Sequence, residues 1–123
     1  MNPPRAIVAL LHVADVSRSM TFYRRLGFEV ANTVVAPGSR EPSWAWLRSG
    51  EASLMVATAS EPVVASQQAV LFYVYCDDVE GKHAELAAAG VDVGPIGTPF
   101  YSPRGEFRMA DPDGYVIMLS HTP

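Results

Sequence analysis

The chain has a single cysteine, Cys76, among its 123 residues, and so cannot close an internal disulfide. That suits a reducing compartment. Cys76 lies inside an apolar run and reads as a small buried hydrophobe rather than a nucleophile. No apolar run approaches the about 18 residues that a membrane span needs, so no membrane partner is expected. There is no excess of basic charge either. The formal net charge is −4, which argues against a nucleic-acid surface and for an ordinary soluble globule. The opening stretch Met1-Asn-Pro-Pro-Arg5 lacks the charged-then-apolar plan of a signal peptide, and the expected location is the cytoplasm. What is present is an apolar half, 49% of the residues, enough for one domain with one core or two small stacked ones.

The most ordered stretch lies near the C-terminus, from Arg104 to Met118. Asp111-Pro-Asp-Gly114 has the composition of a type I turn, with Asp first, Pro fixing φ second and Gly fourth. Before it, Phe107 and Met109 alternate with Glu106 and Arg108. After it, Tyr115 to Leu119 form an apolar run. Glu106 and Arg108 are two apart on a strand and share a face.

Upstream, Ala6 to Val13 is apolar except for His12 and reads as a buried strand. Asp15 caps a helix with Val16, Met20, Tyr23 and Leu26 at helical spacing and Gly27 as its stop. Phe28 to Ala36 is a second strand. Ser43–Leu47 and Ala52–Thr58 form a hairpin around Arg48-Ser49-Gly50. Val70 to Cys76 is again a strand, and Asp78 caps a helix that Gly90 stops. Val91 to Ile96 is a short strand, and Gly97 to Gly105 is a loop.

The order is β-α-β-β-β twice over, and the residues themselves repeat. Asp15-Val16 returns as Asp78-Val79, and Gly27-Phe-Glu-Val30 as Gly90-Val-Asp-Val93, both 63 residues later. The expected organisation is a single domain over 1–123. Module one spans about 5–58, a linker about 59–69, and module two about 70–121.

These landmarks carry a family resemblance. Val13-Ala-Asp-Val-Ser-Arg-Ser-Met-Thr-Phe-Tyr-Arg-Arg-Leu-Gly-Phe28, Cys76-Asp-Asp-Val79, Ala88-Ala-Gly-Val91 and Asp111-Pro-Asp-Gly114 resemble the vicinal oxygen chelate superfamily of glyoxalases, bleomycin-resistance proteins and extradiol dioxygenases. The resemblance implies an α+β fold. Its two tandem βαβββ modules would form a cup-shaped, barrel-like mixed sheet with helices on the outside, in a homodimer. It also implies four inward metal positions in the enzymes of the family. Here those positions carry Val8, Met55, Leu71 and Met118; Leu71 is Val8 plus 63, and Met118 is Met55 plus 63. None is a ligand for a hard or borderline metal, and no metal or cofactor is expected. Paired methionines could in principle take soft Cu(I), but core packing is the stronger expectation. His12 lies three residues before Asp15, where the family's metal histidine would lie seven before it. Its alternatives are a ligand contact or a core histidine bonded to the backbone. His83 is placed at the surface or rim of its helix, and His121 in a frayed end.

The implied cup lining is apolar and aromatic, with few polar groups, the character of a small-molecule pocket. Val8, Leu10 and His12 would line it from one module with Ser53, Met55 and Ala57. Leu71, Tyr73, Tyr75, Glu106, Arg108, Ala110, Val116, Met118 and Ser120 would line it from the other. Glu106 and Arg108 either orient a ligand or form an internal salt bridge. Trp44 and Trp46 share the face of Met55 if a two-residue turn falls at Ser49-Gly50. They lie outside, in a core or dimer seam, if the turn has three residues, and the balance leans to the latter. Tyr101 and Arg104 lie on a loop that could cover the mouth.

The stretch Arg104 to Gly114 also looks like the matching segment of the bleomycin-binding branch, which lacks the metal ligands. The leading expectation is therefore a metal-independent protein that binds a partly aromatic small molecule, such as a drug or toxic natural product. Its ligand set would be His12, Met55, Tyr73, Tyr75, Tyr101, Glu106, Arg108 and Met118. The alternative is an enzyme of the lyase, isomerase or dioxygenase type. It would be metal-dependent if the register is wrong, or metal-free with His12 or Glu106 as a base. A third is an interaction module whose cavity is filled by its own side chains.

Overall fold

The computed structural model describes residues 2–123. The chain divides into two compact units, the first ending at Val63 and the second beginning at Val64.

The first unit runs β1 (Ala9–Val13), α1 (Val16–Leu26), β2 (Glu29–Val35), β3 (Pro42–Ser49) and β4 (Ala52–Thr58). Its four strands lie in the order β1-β4-β3-β2, with β1 parallel to β4 and the other pairs antiparallel. The second unit runs β5 (Leu71–Cys76), α2 (Val79–Ala88), β6 (Glu106–Ala110) and β7 (Val116–His121), after a short 3-10 turn at Ala65–Gln67. Its sheet has the order β5-β7-β6, with β5 parallel to β7. Neither sheet closes into a barrel; each is an open mixed sheet with its own helix.

Both helices begin and end by the same chemistry. Asp15 accepts a hydrogen bond from the Arg18 amide at 3.2 Å, and Asp78 from the Gly81 amide at 2.9 Å. Each satisfies an amide that the first turn leaves without a helical partner. At the other end Gly27 and Gly90 adopt left-handed φ values of 109° and 85°. Gly27 N–H bonds Arg24 O and Phe28 N–H bonds Tyr23 O; Gly90 bonds Ala87 and Val91 bonds Leu86 in the same way. The partners match pair for pair at the 63-residue offset. So do the registers, since Leu10 pairs with Met55 and Tyr73 with Met118.

The helix-side face of each sheet is the core. Leu11, Val13, Ala45, Leu47 and Val56 are buried in the first unit, with Val16, Phe22, Tyr23 and Leu26 of α1. Tyr23 meets Phe22 and Phe28 edge-on, at centroid distances of 5.1 and 6.0 Å. In the second unit Phe107, Met109, Ile117 and Leu119 are buried with Val79 and Leu86 of α2. Each such large side chain contributes about 1.5–3 kcal/mol by leaving water.

Three sequence expectations are corrected here. Val91 to Ile96 is not a strand. Only the isolated bridges Val93–Met109 and Gly97–Glu106 form, because Gly94 and Gly97 offer no side chain to pack and Pro95 has no N–H to donate. The first strand begins at Ala9, so Val8 lies just outside it. His83 is not a rim residue. Its Nε2 donates to Gly94 O at 2.8 Å, and its ring stands edge-on to buried Phe107 at 4.8 Å. The histidine thus pins down the segment that failed to become a strand.

Candidate functional site

In each unit the sheet face turned away from the helix is left open, and strand parity decides what it shows. In the first unit Leu10, Met55, Trp46 and Asn32 lie across the sheet as one row of register partners. His12, Ala57, Trp44 and Val34 form the next. The connection between β3 and β4 is a two-residue loop, Gly50-Glu51, flanked by the pair Ser49–Ala52. Gly50 has φ +57° and Glu51 does not share it, as a first-position glycine of this loop length requires. Both tryptophans therefore stand on the face of Met55. This corrects the expected position on the opposite face, because the loop has two residues rather than three.

In the second unit the open face carries Tyr73–Met118–Arg108 as one row and Tyr75–Ser120–Glu106 as the next. Leu71, Val116 and Ala110 extend it toward the turn. Tyr73 and Tyr75 stack with centroids 6.2 Å apart and 28° between planes. They are about half exposed, and they form one wall of a groove of about 270 Å³. Tyr101, Ser102, Arg104 and Ser120 also line this groove. The Ser102 hydroxyl donates to Gly105 O at 3.1 Å and lies 2.9 Å from Ser120 Oγ. With its proton so used, Ser102 accepts from Ser120.

Glu106 is only 6% exposed. Its Oε1 accepts a hydrogen bond from the Tyr101 hydroxyl at 2.9 Å, while Oε2 has no partner among the described residues. The internal salt bridge with Arg108 does not form; Arg108 is exposed and lies one row away, as the register partner of Met118. The bond to Glu106 holds the phenolic proton and pushes the Tyr101 pKa up to about 12; burial, the Glu106 charge and Tyr73 act in the same direction.

The structure thus brings Tyr73, Tyr75, Tyr101, Glu106, Arg108 and Met118 together on one unit and places His12 and Met55 on the other. Sequence reasoning missed Ser102 and the Tyr101–Glu106 bond. Its signal was Tyr-Ser-Pro in a loop five residues before a strand-borne carboxylate, a pattern too local to point anywhere by itself. His121 is not frayed, for it ends β7 and its amide donates to Gly105 O at 3.1 Å. Burial raises the Cys76 thiol pKa, consistent with an unreactive thiol.

Val8, Met55, Leu71 and Met118 offer no carboxylate or imidazole. Among the described residues no three His, Cys, Asp or Glu side chains gather to hold a metal. This donor set does not fit a hard divalent ion. Nor is any helix of the described residues long and apolar enough to cross a membrane.

The sequence model of the Glyoxalase/Bleomycin resistance protein/Dioxygenase superfamily matches residues 6–119. The chain belongs to this superfamily. Among solved structures it resembles TnmS3, an antibiotic-binding protein from a Streptomyces species, at 22% identity and a TM-score of 0.78 over 100% of this chain and 99% of that one. The bleomycin-binding protein of Streptomyces verticillus, solved with copper(II)-bleomycin, has 22% identity and a TM-score of 0.72 over 100% of both chains. A lactoylglutathione lyase from Agrobacterium tumefaciens has 21% identity and a TM-score of 0.67, over 98% of this chain and 96% of that one. At such identities the likeness is one of fold, and this superfamily fold hosts both binders and an enzyme. No curated protein matches the sequence.

Proposed function

We propose that this superfamily member is a metal-independent small-molecule-binding protein that holds a partly aromatic ligand, such as a drug or toxic natural product, at the open face of its second unit. The observation that carries this reading is the groove beside the stacked Tyr73–Tyr75 pair, lined also by Ser102 and Ser120. Flat aromatic walls with a few fixed polar groups suit a planar guest. The apolar residues at all four metal positions support binding without a metal. The antibiotic- and bleomycin-binding neighbours add weight to a drug-like ligand. The working form is a homodimer in the cytoplasm.

Native mass spectrometry of tag-free protein tests this reading. The expected species is a metal-free dimer that carries or takes up a small molecule. A stoichiometric metal on the folded protein would overturn it.

A further inference from the structure

Glu106 is a buried carboxylate only half satisfied. Oε1 has the Tyr101 hydroxyl; Oε2 has no partner among the described residues, although a buried anionic oxygen without a donor is costly. The residue that covers it is poorly anchored. Tyr101 is 59% exposed, on the loop before β6, and its neighbour Phe100 is 96% exposed. Tyr101 also meets Tyr73 and the edge of Phe100 at 5.4 Å, but most of its surface is in water, so a stronger donor can displace it. Beyond it lies the groove, with Ser120, the register partner of Glu106, in its lining and Tyr73 and Tyr75 as its wall. Aromatic wall and unpartnered carboxylate are thus adjacent across two strands. The cations nearby, Arg104 and Arg108, are both exposed, and water screens their charges.

From this geometry we infer that the groove selects planar aromatic ligands bearing a paired N–H donor, an amidine, guanidine or aminoheterocycle, which displaces the Tyr101 hydroxyl and binds Glu106. The ring stacks on Tyr73 and Tyr75 while the donor pair meets both carboxylate oxygens, the bidentate geometry that charge-assisted bonds favour. Tyr101 is then a stand-in for the ligand, holding one oxygen until a better donor arrives. This inference rests on the binding function proposed above and adds the chemical class of the ligand.

The test compares 5-amidinoindole with methyl indole-5-carboxylate, a probe of similar shape with no N–H at that end, by isothermal titration or tyrosine fluorescence. The amidine is expected to bind the wild-type protein roughly 10- to 100-fold more tightly than the ester, the worth of a hydrogen bond to a charged group. Glu106→Gln should abolish that preference. Tyr101→Phe removes the competing hydroxyl and should tighten amidine binding roughly 2- to 10-fold. This second variant keeps the test decisive if Glu106→Gln folds poorly. Equal binding of the two probes, a preference that survives Glu106→Gln, amidine affinity that falls in Tyr101→Phe, or no amidine binding at all would overturn the inference. The first two results would leave the broader binding function standing, whereas a stoichiometric metal would remove that function itself.

Discussion

In the first unit Trp44 and Trp46 stand beside Ala57 and Met55; in the second, Glu106 and Arg108 stand in the same two places beside Ser120 and Met118. On the first strand of each module, Leu10 and His12 answer to Tyr73 and Tyr75. Turned over, the sheets agree. Leu54 and Val56 of β4 correspond to Ile117 and Leu119 of β7, all apolar and buried. The two units are alike on the face that folds them and, Met55 and Met118 apart, differ on the open face. A core position is held by packing at near-crystalline density, so its chemistry is confined. An open-face position has no such constraint, and there the second unit carries a carboxylate, two stacking tyrosines and a covering loop.

If the cores are equivalent, they should fail equally. Leu54→Ala and Ile117→Ala, matched at the 63-residue offset, are each expected to cost about 2–5 kcal/mol in urea denaturation. Hydrogen exchange should place each loss first in its own unit; a large cost in one and none in the other would break the equivalence.

The hairpin turns should separate the units. Gly50 has φ +57° and nothing where a Cβ would go, so Gly50→Ala should cost about 1–2 kcal/mol for the left-handed backbone alone. Gly114 has φ +87°, and a Cβ there would overlap Ala65 of the 3-10 turn. Gly114→Ala should therefore cost more than Gly50→Ala by the same denaturation measurement. Equal costs would mean that the contact with Ala65 relaxes freely.

The helix caps return to equivalence at a smaller scale. Asp15→Ala and Asp78→Ala should each cost about 1 kcal/mol, read as matched shifts in the denaturation midpoint.

The last comparison is spectroscopic. Tyr101 keeps its proton up to about pH 12 because Glu106 holds it, so absorbance near 295 nm should show a late tyrosine step that depends on Glu106. The sign is that of a raised pKa. The bond's contribution to stability is present below the ordinary tyrosine pKa of about 10 and lost as pH rises through about 12. Glu106→Gln removes the charge and should move that step down toward ordinary tyrosines. An unchanged late step would mean that another group holds the proton.

Much of this was legible in the sequence because its causes are local. A capping Asp, a stopping glycine and alternating strands act within a few residues, so the two helices and their 63-residue repeat follow from spacing, whereas the inward face expected for Tyr73, Tyr75, Glu106 and Met118 was what the family resemblance implied. Strand parity carries the same weight: once the offset of 63 sets Leu10 against Tyr73, every other residue on those strands has its face assigned.

Tertiary structure decided the rest, wherever two elements compete for one group. Whether Val91 to Ile96 pairs with β6 depends on how many bonds Gly94, Pro95 and Gly97 can offer a neighbour, and the answer was two isolated bridges and a clamp from His83. Whether the β3–β4 loop has two residues or three depends on which register puts Leu47 and Val56 on one buried face. Whether Glu106 bonds Arg108 or Tyr101 depends on where a loop without regular structure comes to rest. A strand pattern can place a carboxylate on a face, but the hydroxyl that reaches it comes from a segment with no period to read. That contact, and the oxygen it leaves unpaired, belong to the folded chain alone.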